Sequence, residues 1–216
     1  QVQLTDGYVM IREGELFQGV VGHTPKYPRA MDIDGRNVIV TGAGSGIGRA
    51  LASEFAAAGA RVVAGDIDEA GVHETANRIR AAGGRAVGFQ ADAADTAGIE
   101  SLITLAGREF GAVDIYVANA GIMGALELGS EEDWDRILDV NLRAHIRAAR
   151  LLVPHWKSRG AGYFVSIASA AGLLTQIGGA GYSVTKHAAV GFAEWLAISY
   201  GDDGIGVSCV CPMGVE

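Results

Sequence analysis

A tyrosine and a lysine stand four positions apart in the otherwise small and apolar run GYSVTKHAA, residues 181–189. On a helix, side chains at this spacing share one face, with Cβ atoms about 5 to 6 Å apart. An ammonium about 4 to 6 Å from a phenol favours the phenolate by roughly 3 to 4 kcal/mol at an effective dielectric of about 20. Tyr182 and Lys186 therefore form a candidate acid–base pair, although the spacing also fits two unrelated neighbours on an exposed helix.

A second candidate site is the glycine-rich segment TGAGSGIGRALA, which follows the apolar run NVIVT directly. Gly42, Gly46 and Gly48 allow backbone conformations that other residues avoid, and they let a pyrophosphate approach a helix N-terminus, where free N–H groups favour anions. Glycine spacing alone is weak evidence, because the chain has 32 glycines. The position between a predicted strand and a predicted helix makes a dinucleotide site the better interpretation.

Asp66 ends the next predicted strand, after the run RVVAG. A carboxylate at this place can accept hydrogen bonds from the adenosine ribose of a dinucleotide. The same carboxylate would repel the 2′-phosphate of NADP, so Asp66 indicates NAD as the cofactor. The alternative is that Asp66 caps a helix beginning near Asp68.

The elements that must position these residues alternate along the chain. Short apolar runs predict six strands at residues 37–41, 61–65, 85–89, 113–119, 162–168 and 205–211. Most of these runs are continuously apolar, which is typical of parallel strands covered by helices on both faces. Segments of helical period separate the strands and lie near residues 46–58, 70–82, 96–110, 131–158 and 181–201. The sequence therefore predicts an α/β fold with a doubly wound, Rossmann-like parallel sheet.

The first 30 residues do not follow this alternation and are predicted to be an N-terminal appendage to a domain spanning residues 31–216. Within the appendage, VQLTDGYVMI predicts a small hairpin that turns around Asp6 and Gly7, and Pro25 and Pro28 resemble a linker.

Composition narrows the classes of function. The chain has 216 residues, a net charge of −8 and no concentrated basic patch, so nucleic acid is not an expected partner. Neither an apolar run of about 18 residues nor a secretory signal is visible, so no membrane contact and a cytoplasmic location are expected. Cys209 and Cys211 would share one face of a strand and are predicted to be buried, reduced thiols; no metal site is expected.

Taken together, the motifs resemble those of the short-chain dehydrogenase/reductase family. The resemblance covers about residues 31–216 and rests on TGxxxGxG at 41–48, ANAG at 118–121, VNL at 140–142, the serine of SIASAAG, and YxxxK. It implies that Tyr182 is the catalytic acid or base and that Lys186 assists it and holds the nicotinamide ribose. It also implies that Ser169 hydrogen-bonds the substrate oxygen and that Asn141 positions a water in a proton relay.

The resemblance extends to a cofactor-binding set in which most members follow strand ends. That set comprises Gly42, Ser45, Gly46, Ile47, Gly48, Asp66, Asp92, Asn119, Gly121, Tyr182, Lys186, Pro212 and Val215. The chain departs from the family pattern after the last strand, where Met213 separates Pro212 from Gly214. Asp92 has an alternative as the cap of a helix beginning near Thr96.

The implied activity is NAD-dependent hydride transfer to or from a secondary alcohol or ketone. The expected substrate is hydrophobic, because residues 121–123 and 170–180 are mostly apolar and carry no charge. A homotetramer or homodimer is implied, as is the absence of the family's usual substrate lid and last strand after Glu216. Two other functions stay open, a nucleotide-sensing regulator and an assembly subunit with the same fold.

Overall fold

The computed structural model describes residues 7–12, 15–19 and 31–213. Eight strands form one sheet in the order β2-β1-β8-β7-β6-β3-β4-β5. Their bounds are β1 Gly7–Arg12, β2 Glu15–Gly19, β3 Asn37–Thr41, β4 Arg61–Asp66, β5 Arg85–Gln90, β6 Ile115–Ala118, β7 Gly162–Ile167 and β8 Ile205–Pro212. All neighbouring strands are parallel except β1 and β2, which pair antiparallel.

Helices follow most of the strands. They are α1 Gly46–Ala57, α2 Glu69–Ala81, α3 Thr96–Glu109, α4 Glu131–Leu138, α5 Ala144–Arg159 and α6 Ala180–Tyr200. A π-helical turn, Asp139–Arg143, joins α4 to α5, so the predicted helix near 131–158 is continuous but changes its hydrogen-bonding pattern in the middle. The six predicted strands and the Rossmann-like class are confirmed.

Alternate residues of the strands build a core on each face of the sheet, as the pleat requires. Ile39, Val63 and Phe164 face a cluster with buried side chains of α3, α5 and α6. Val38 and Val62 face the opposite cluster, which includes residues of α1 and α2. Burial on both faces explains why the strands read as continuous apolar runs.

The N-terminal hairpin differs from its prediction. Gly7 lies inside β1 and pairs with Ser208 of β8, so it is not part of a turn, while Asp6 lies outside the described residues. The two hairpin strands meet at the pair Arg12 and Glu15 instead. Since β1 hydrogen-bonds to β8, the segment extends the sheet; the division of the chain at residue 30 stays a prediction.

β3 and β6 are neighbours in the sheet, although β4 and β5 lie between them in sequence. The strand order therefore reverses between β3 and β6. Loops that leave the carboxyl ends of strands on either side of such a switch point diverge and leave a crevice. The glycine turn after β3 and the segment after β6 therefore border one site. Among the described helices, none is long and apolar enough to cross a membrane.

Candidate active site

The glycine turn connects β3 to α1 with two distinct uses of glycine. Gly46 has φ of 50° and open space where a side chain would lie, so the first turn of α1 is uncovered. A Cβ on Gly48 would stand 2.0 Å from the Gly42 carbonyl oxygen, so only glycine permits this close approach. Together they leave the N-terminal N–H groups of α1 accessible to an anion.

Thr41 and Asn119 brace this turn against β6. The Thr41 hydroxyl donates to the Val117 carbonyl and accepts the backbone N–H of Asn119 at 3.1 Å. The Asn119 side-chain amide donates to the carbonyls of Thr41 and Gly42. Asn119 therefore supports the backbone of the glycine turn. Thr41 belongs to the recognised motif, but sequence reasoning gave it no role, because its partners are more than 70 residues away.

Asp66 lies at the end of β4 and faces the glycine turn. Its Oδ2 accepts the backbone N–H of Gly44 at 2.9 Å, and its Oδ1 accepts the backbone N–H of Asp68 at 3.0 Å. The N-cap of α2 is Asp68 itself, so the alternative role of Asp66 as that helix cap is wrong. The carboxylate is held beside the turn and is only half-buried, which leaves lone pairs for a further donor.

Tyr182 and Lys186 share one face of α6, as the spacing predicts. The Lys186 Nζ lies 5.7 Å from the centroid of the Tyr182 ring. Lys186 is only 4% exposed, so the alternative of a solvated surface lysine is wrong. Within the described part of the chain, no protein group hydrogen-bonds to the Tyr182 hydroxyl, which leaves it available to another partner.

Burial governs the charge of Lys186. Desolvation is the largest cause and lowers the pKa of Lys186 to about 8, while the electrostatic influence of Cys209 and Cys211 acts in the opposite direction. Among the described residues, its one hydrogen-bond acceptor is the Ile167 carbonyl, at 3.0 Å. Since an ammonium has three donors, two are free to bind a ligand. Cys209 and Cys211 are 3% and 1% exposed on the same face of β8, and both are free thiols.

Asn141 sits in the π-helical turn and is completely buried. Its side-chain amide makes two hydrogen bonds with the backbone of Ile122: Oδ1 accepts the Ile122 N–H and Nδ2 donates to the Ile122 carbonyl, both at 2.8 Å. Asn141 also donates to the hydroxyl of Thr185 at 3.2 Å, and Thr185 in turn donates to the Gly181 carbonyl. Thr185, which sequence reasoning missed, thus ties the loop after β6 to the helix that carries Tyr182.

Gly121 marks the place where these groups converge. A Cβ added to Gly121 would lie 3.4 Å from the Asn141 Oδ1 and 3.4 Å from the Lys186 Nζ. Gly121 is exposed, whereas Asn141 and Lys186 are buried. The missing side chain therefore leaves an opening toward the ammonium.

Ser169 follows β7 and begins a short 3₁₀ turn. Its hydroxyl accepts the backbone N–H of Ala171 at 3.1 Å, and its own backbone N–H donates to the Cys211 thiol. The hydroxyl proton stays free to donate elsewhere. Ser169 is thus fixed from both sides at the carboxyl edge of the sheet, the edge that also carries the glycine turn.

The remaining predicted cofactor residues lie around this edge. Ser45 is exposed and Ile47 half-buried at the start of α1, and Pro212 ends β8. Asp92 is exposed and its side chain accepts the N–H of Ala94; because Asp95 is the N-cap of α3, the capping alternative for Asp92 is wrong. Val215 lies outside the described residues.

The site fits a dinucleotide by its own geometry. It offers an uncovered helix N-terminus for a pyrophosphate, a carboxylate for ribose hydroxyls, and a buried ammonium with unused donors behind an exposed glycine. Among residues 7–12, 15–19 and 31–213, no cluster of three or more His, Cys, Asp or Glu side chains could hold a metal.

A buried histidine lies behind Lys186 and was not anticipated. His145 is 1% exposed, its Nδ1 is 3.2 Å from the Ser166 hydroxyl, and its ring packs near Phe164. Burial, with a smaller contribution from the Lys186 charge, lowers the pKa of His145 to about 3. The imidazole is therefore neutral at ordinary pH.

Comparison with known proteins gives one consistent family. A sequence model described as short chain dehydrogenase matches residues 36–216. An uncharacterized oxidoreductase of Thermotoga maritima is 40% identical over 184 residues, which cover 84% of this chain and 72% of the relative. A 2-(R)-hydroxypropyl-CoM dehydrogenase of Xanthobacter autotrophicus is 36% identical over 187 residues, covering 84% of this chain and 75% of the relative.

A solved structure supports the same assignment. The crystal structure of a short chain dehydrogenase/reductase from Burkholderia phymatum in complex with NAD is 34% identical in sequence, with a TM-score of 0.80. The match covers 84% of this chain, which spans 66% of the length of that crystallised chain.

We expect His145 to lower the free energy of unfolding as the pH falls. The unfolded chain binds a proton at His145 below about pH 6.5, whereas the folded chain does so only near pH 3. Between these values the unfolded state binds more protons, so this group lowers the free energy of unfolding by about 1.4 kcal/mol per pH unit as the pH falls. Denaturant unfolding at pH 6 and pH 4 measures how much the free energy of unfolding decreases with acid. This decrease should be about 2 to 3 kcal/mol smaller in His145→Gln than in the unmodified protein. Equal losses in both proteins would contradict a buried neutral imidazole.

Proposed function

The chain belongs to the short-chain dehydrogenase family of oxidoreductases, and we propose that it transfers a hydride between NAD and a secondary alcohol or ketone. One observation carries the proposal: a buried ammonium lies 5.7 Å from the ring of a tyrosine whose hydroxyl has no partner among the described residues. That arrangement suits proton exchange at an alcohol or carbonyl oxygen.

Tyr182 is proposed to give its hydroxyl proton to a ketone oxygen, or to take one from an alcohol. The buried Lys186 ammonium lies 5.7 Å from the centroid of the Tyr182 ring, beside the oxygen that would exchange the proton. Ser169 supports the developing charge with its hydroxyl proton, since its oxygen is already fixed by the Ala171 N–H. A bound nicotinamide supplies or accepts the hydride.

The cofactor contacts are proposed for the residues of the carboxyl edge. Gly42, Ser45, Gly46, Ile47 and Gly48 would receive the pyrophosphate at the N-terminus of α1. Asp66 would accept the adenosine ribose hydroxyls, and Asp92 would lie beside the adenine. Asn119, Gly121, Pro212 and Val215 complete the predicted set, with Tyr182 and Lys186 at the nicotinamide ribose. Asn141 is proposed to hold a water near Lys186, since it is positioned by Ile122 and Thr185.

A hydrophobic substrate is favoured by the two loops beside Tyr182. Exposed apolar side chains project from both, among them Leu126, which is 82% exposed, and Ile177, which is 98% exposed. The loops are joined through Glu127, whose N–H donates to the Gly178 carbonyl and whose carbonyl accepts the Ala180 N–H. Because Glu127 is acidic and residues 170–180 carry no cation, an anionic substrate has no counter-charge there.

The other functions proposed from the sequence, a nucleotide-sensing regulator or an assembly subunit, need no proton-transfer pair. The burial of Lys186 disfavours an assembly subunit, because desolvating an ammonium without a ligand costs free energy. A nucleotide sensor has no use for the Tyr182 hydroxyl, which lies beside this ammonium without a partner among the described residues. Assembly into a homotetramer or homodimer stays a proposal, favoured by the exposed Val184, Trp195 and Ile198 on α6. A cytoplasmic location also stays a prediction.

We expect Tyr182→Phe to lower turnover of a secondary alcohol by roughly 10² to 10⁴, the usual contribution of general acid–base catalysis. NADH affinity should stay nearly unchanged, because the variant keeps the ring. Lys186→Ala should lower both turnover and NADH affinity. Steady-state kinetics and NADH fluorescence titration measure the two effects separately.

The control for this test is Tyr200→Phe, which removes a phenol from the end of the same helix. It should leave turnover within about twofold of the unmodified protein. Turnover of Tyr182→Phe within about tenfold of the unmodified protein would overturn the catalytic assignment.

We expect the unmodified protein to bind NADH at least about a hundredfold more tightly than NADPH, since Asp66 offers charged acceptors to the ribose and repels a 2′-phosphate. Asp66→Asn keeps an acceptor for the Gly44 N–H but removes the charge, so it should reduce the difference between NADH and NADPH affinity. Asp68→Asn makes the same charge change two residues away and should leave it nearly unchanged. Equal affinity of the unmodified protein for both cofactors would show that Asp66 is not a ribose ligand.

A further inference from the structure

A single arginine side chain reaches back from α1 to the glycine turn. The Arg49 Nε donates to the Thr75 hydroxyl at 3.0 Å, and its Nη2 donates to the Gly44 carbonyl. The same Nη2 forms an ion pair with the Glu74 carboxylate at 3.2 Å. The guanidinium therefore lies against the glycine turn.

Gly44 separates this cation from Asp66. Its N–H donates to the Asp66 Oδ2 at 2.9 Å, while its carbonyl accepts from Arg49. A Cβ on Gly44 would stand 3.0 Å from the same Asp66 oxygen, so the carboxylate packs directly on the glycine. The guanidinium and the proposed ribose ligand therefore flank one peptide residue.

Glu74 and Thr75 hold the guanidinium on the α2 side of the turn. Thr75 is completely buried; its hydroxyl oxygen accepts from Arg49, and its one hydroxyl proton is directed at the Ala43 and Gly71 carbonyls, 2.8 and 3.0 Å away, so it is a fixed anchor. The Glu74 side chain is 51% exposed and forms ion pairs with both Arg49 and Arg78. Hydrogen bonds and charge from Arg78, with a further contribution from Arg49, hold the pKa of Glu74 below its usual value, so Glu74 is anionic near neutral pH.

We propose that Glu74 is a specificity-determining residue that favours NAD over NADP by binding Arg49 and withholding its guanidinium from a 2′-phosphate at Asp66. The inference rests on the proposed NAD function. Arginine is the side chain best suited to bind a phosphate. A free Arg49 guanidinium, separated from Asp66 only by Gly44, would offset the repulsion between the Asp66 carboxylate and a 2′-phosphate. Glu74 offsets part of that charge, since its carboxylate is shared between Arg49 and Arg78, and it engages the Arg49 Nη2 that also donates to the Gly44 carbonyl.

The competing explanation is that Arg49 and Glu74 only tie α1 to α2. A purely structural tie predicts that loss of Glu74 changes the stability of the fold and leaves the ratio of cofactor affinities alone. The proposal predicts a change in the ratio. Because Arg49 and Glu74 side chains are 24% and 51% exposed, the effect should be moderate and should shrink as salt rises.

The test measures the dissociation constants of NADH and NADPH by fluorescence titration for Glu74→Gln at fixed, low ionic strength. The dissociation constant of NADPH divided by that of NADH should fall by about fivefold, mainly through tighter NADPH binding. Glu69→Gln is the matched control, because it removes the same charge from the first turn of α2 but pairs with His73 instead of Arg49. It should leave the ratio within about twofold.

The double variant Arg49→Gln, Glu74→Gln decides whether the effect passes through Arg49. Its ratio should return toward that of the unmodified protein, with thermal unfolding confirming that the variant is folded. An unchanged ratio in Glu74→Gln, an equal shift in Glu69→Gln, or an undiminished shift in the double variant would each overturn the proposal. Failure of the proposed function would be separate, because the unmodified protein would then show no NADH preference at all.

Discussion

The burial of one ammonium, that of Lys186, is the constraint on which the site depends. A charge that is 4% exposed is unfavourable unless polar groups surround it, and the protein provides the Ile167 carbonyl, the polar face of the Tyr182 ring and an opening at Gly121. The ammonium lies 5.7 Å from the centroid of the Tyr182 ring. His145 is neutral mainly because its own imidazole is buried, with a smaller contribution from the Lys186 charge.

The parallel sheet makes this arrangement possible because it collects loops from distant parts of the chain at one edge. Hydrogen bonds from polar side chains then position these loops: Thr41 and Asn119 hold the glycine turn, and Asn141 holds the backbone of Ile122 while contacting Thr185. These hydrogen bonds are directional and lie in partly or fully buried surroundings, so they fix the loops around the site.

The sequence predicted features with a local cause. The four-residue step placed Tyr182 and Lys186 on one helical face, and apolar runs located the six parallel strands, because helix and strand periods are properties of neighbouring residues. Features with a distant cause were missed. The π-helical turn at Asp139–Arg143 accompanies the bond between Asn141 and Ile122, and the contact of Arg49 with Glu74 joins residues far apart in the chain. Pairing of β1 with β8 likewise joins the two ends of the described chain.

The protonation of Lys186 in the intact, cofactor-free protein tests the central claim most directly. NMR of the protein labelled at the lysine side chains, with the Lys186 signal assigned by its loss in Lys186→Ala, gives the titration midpoint. Burial predicts a pKa for Lys186 of about 8 rather than the ordinary lysine value of 10.5. A midpoint at the ordinary value would mean that water reaches the ammonium freely, which would contradict a buried charge acting on Tyr182.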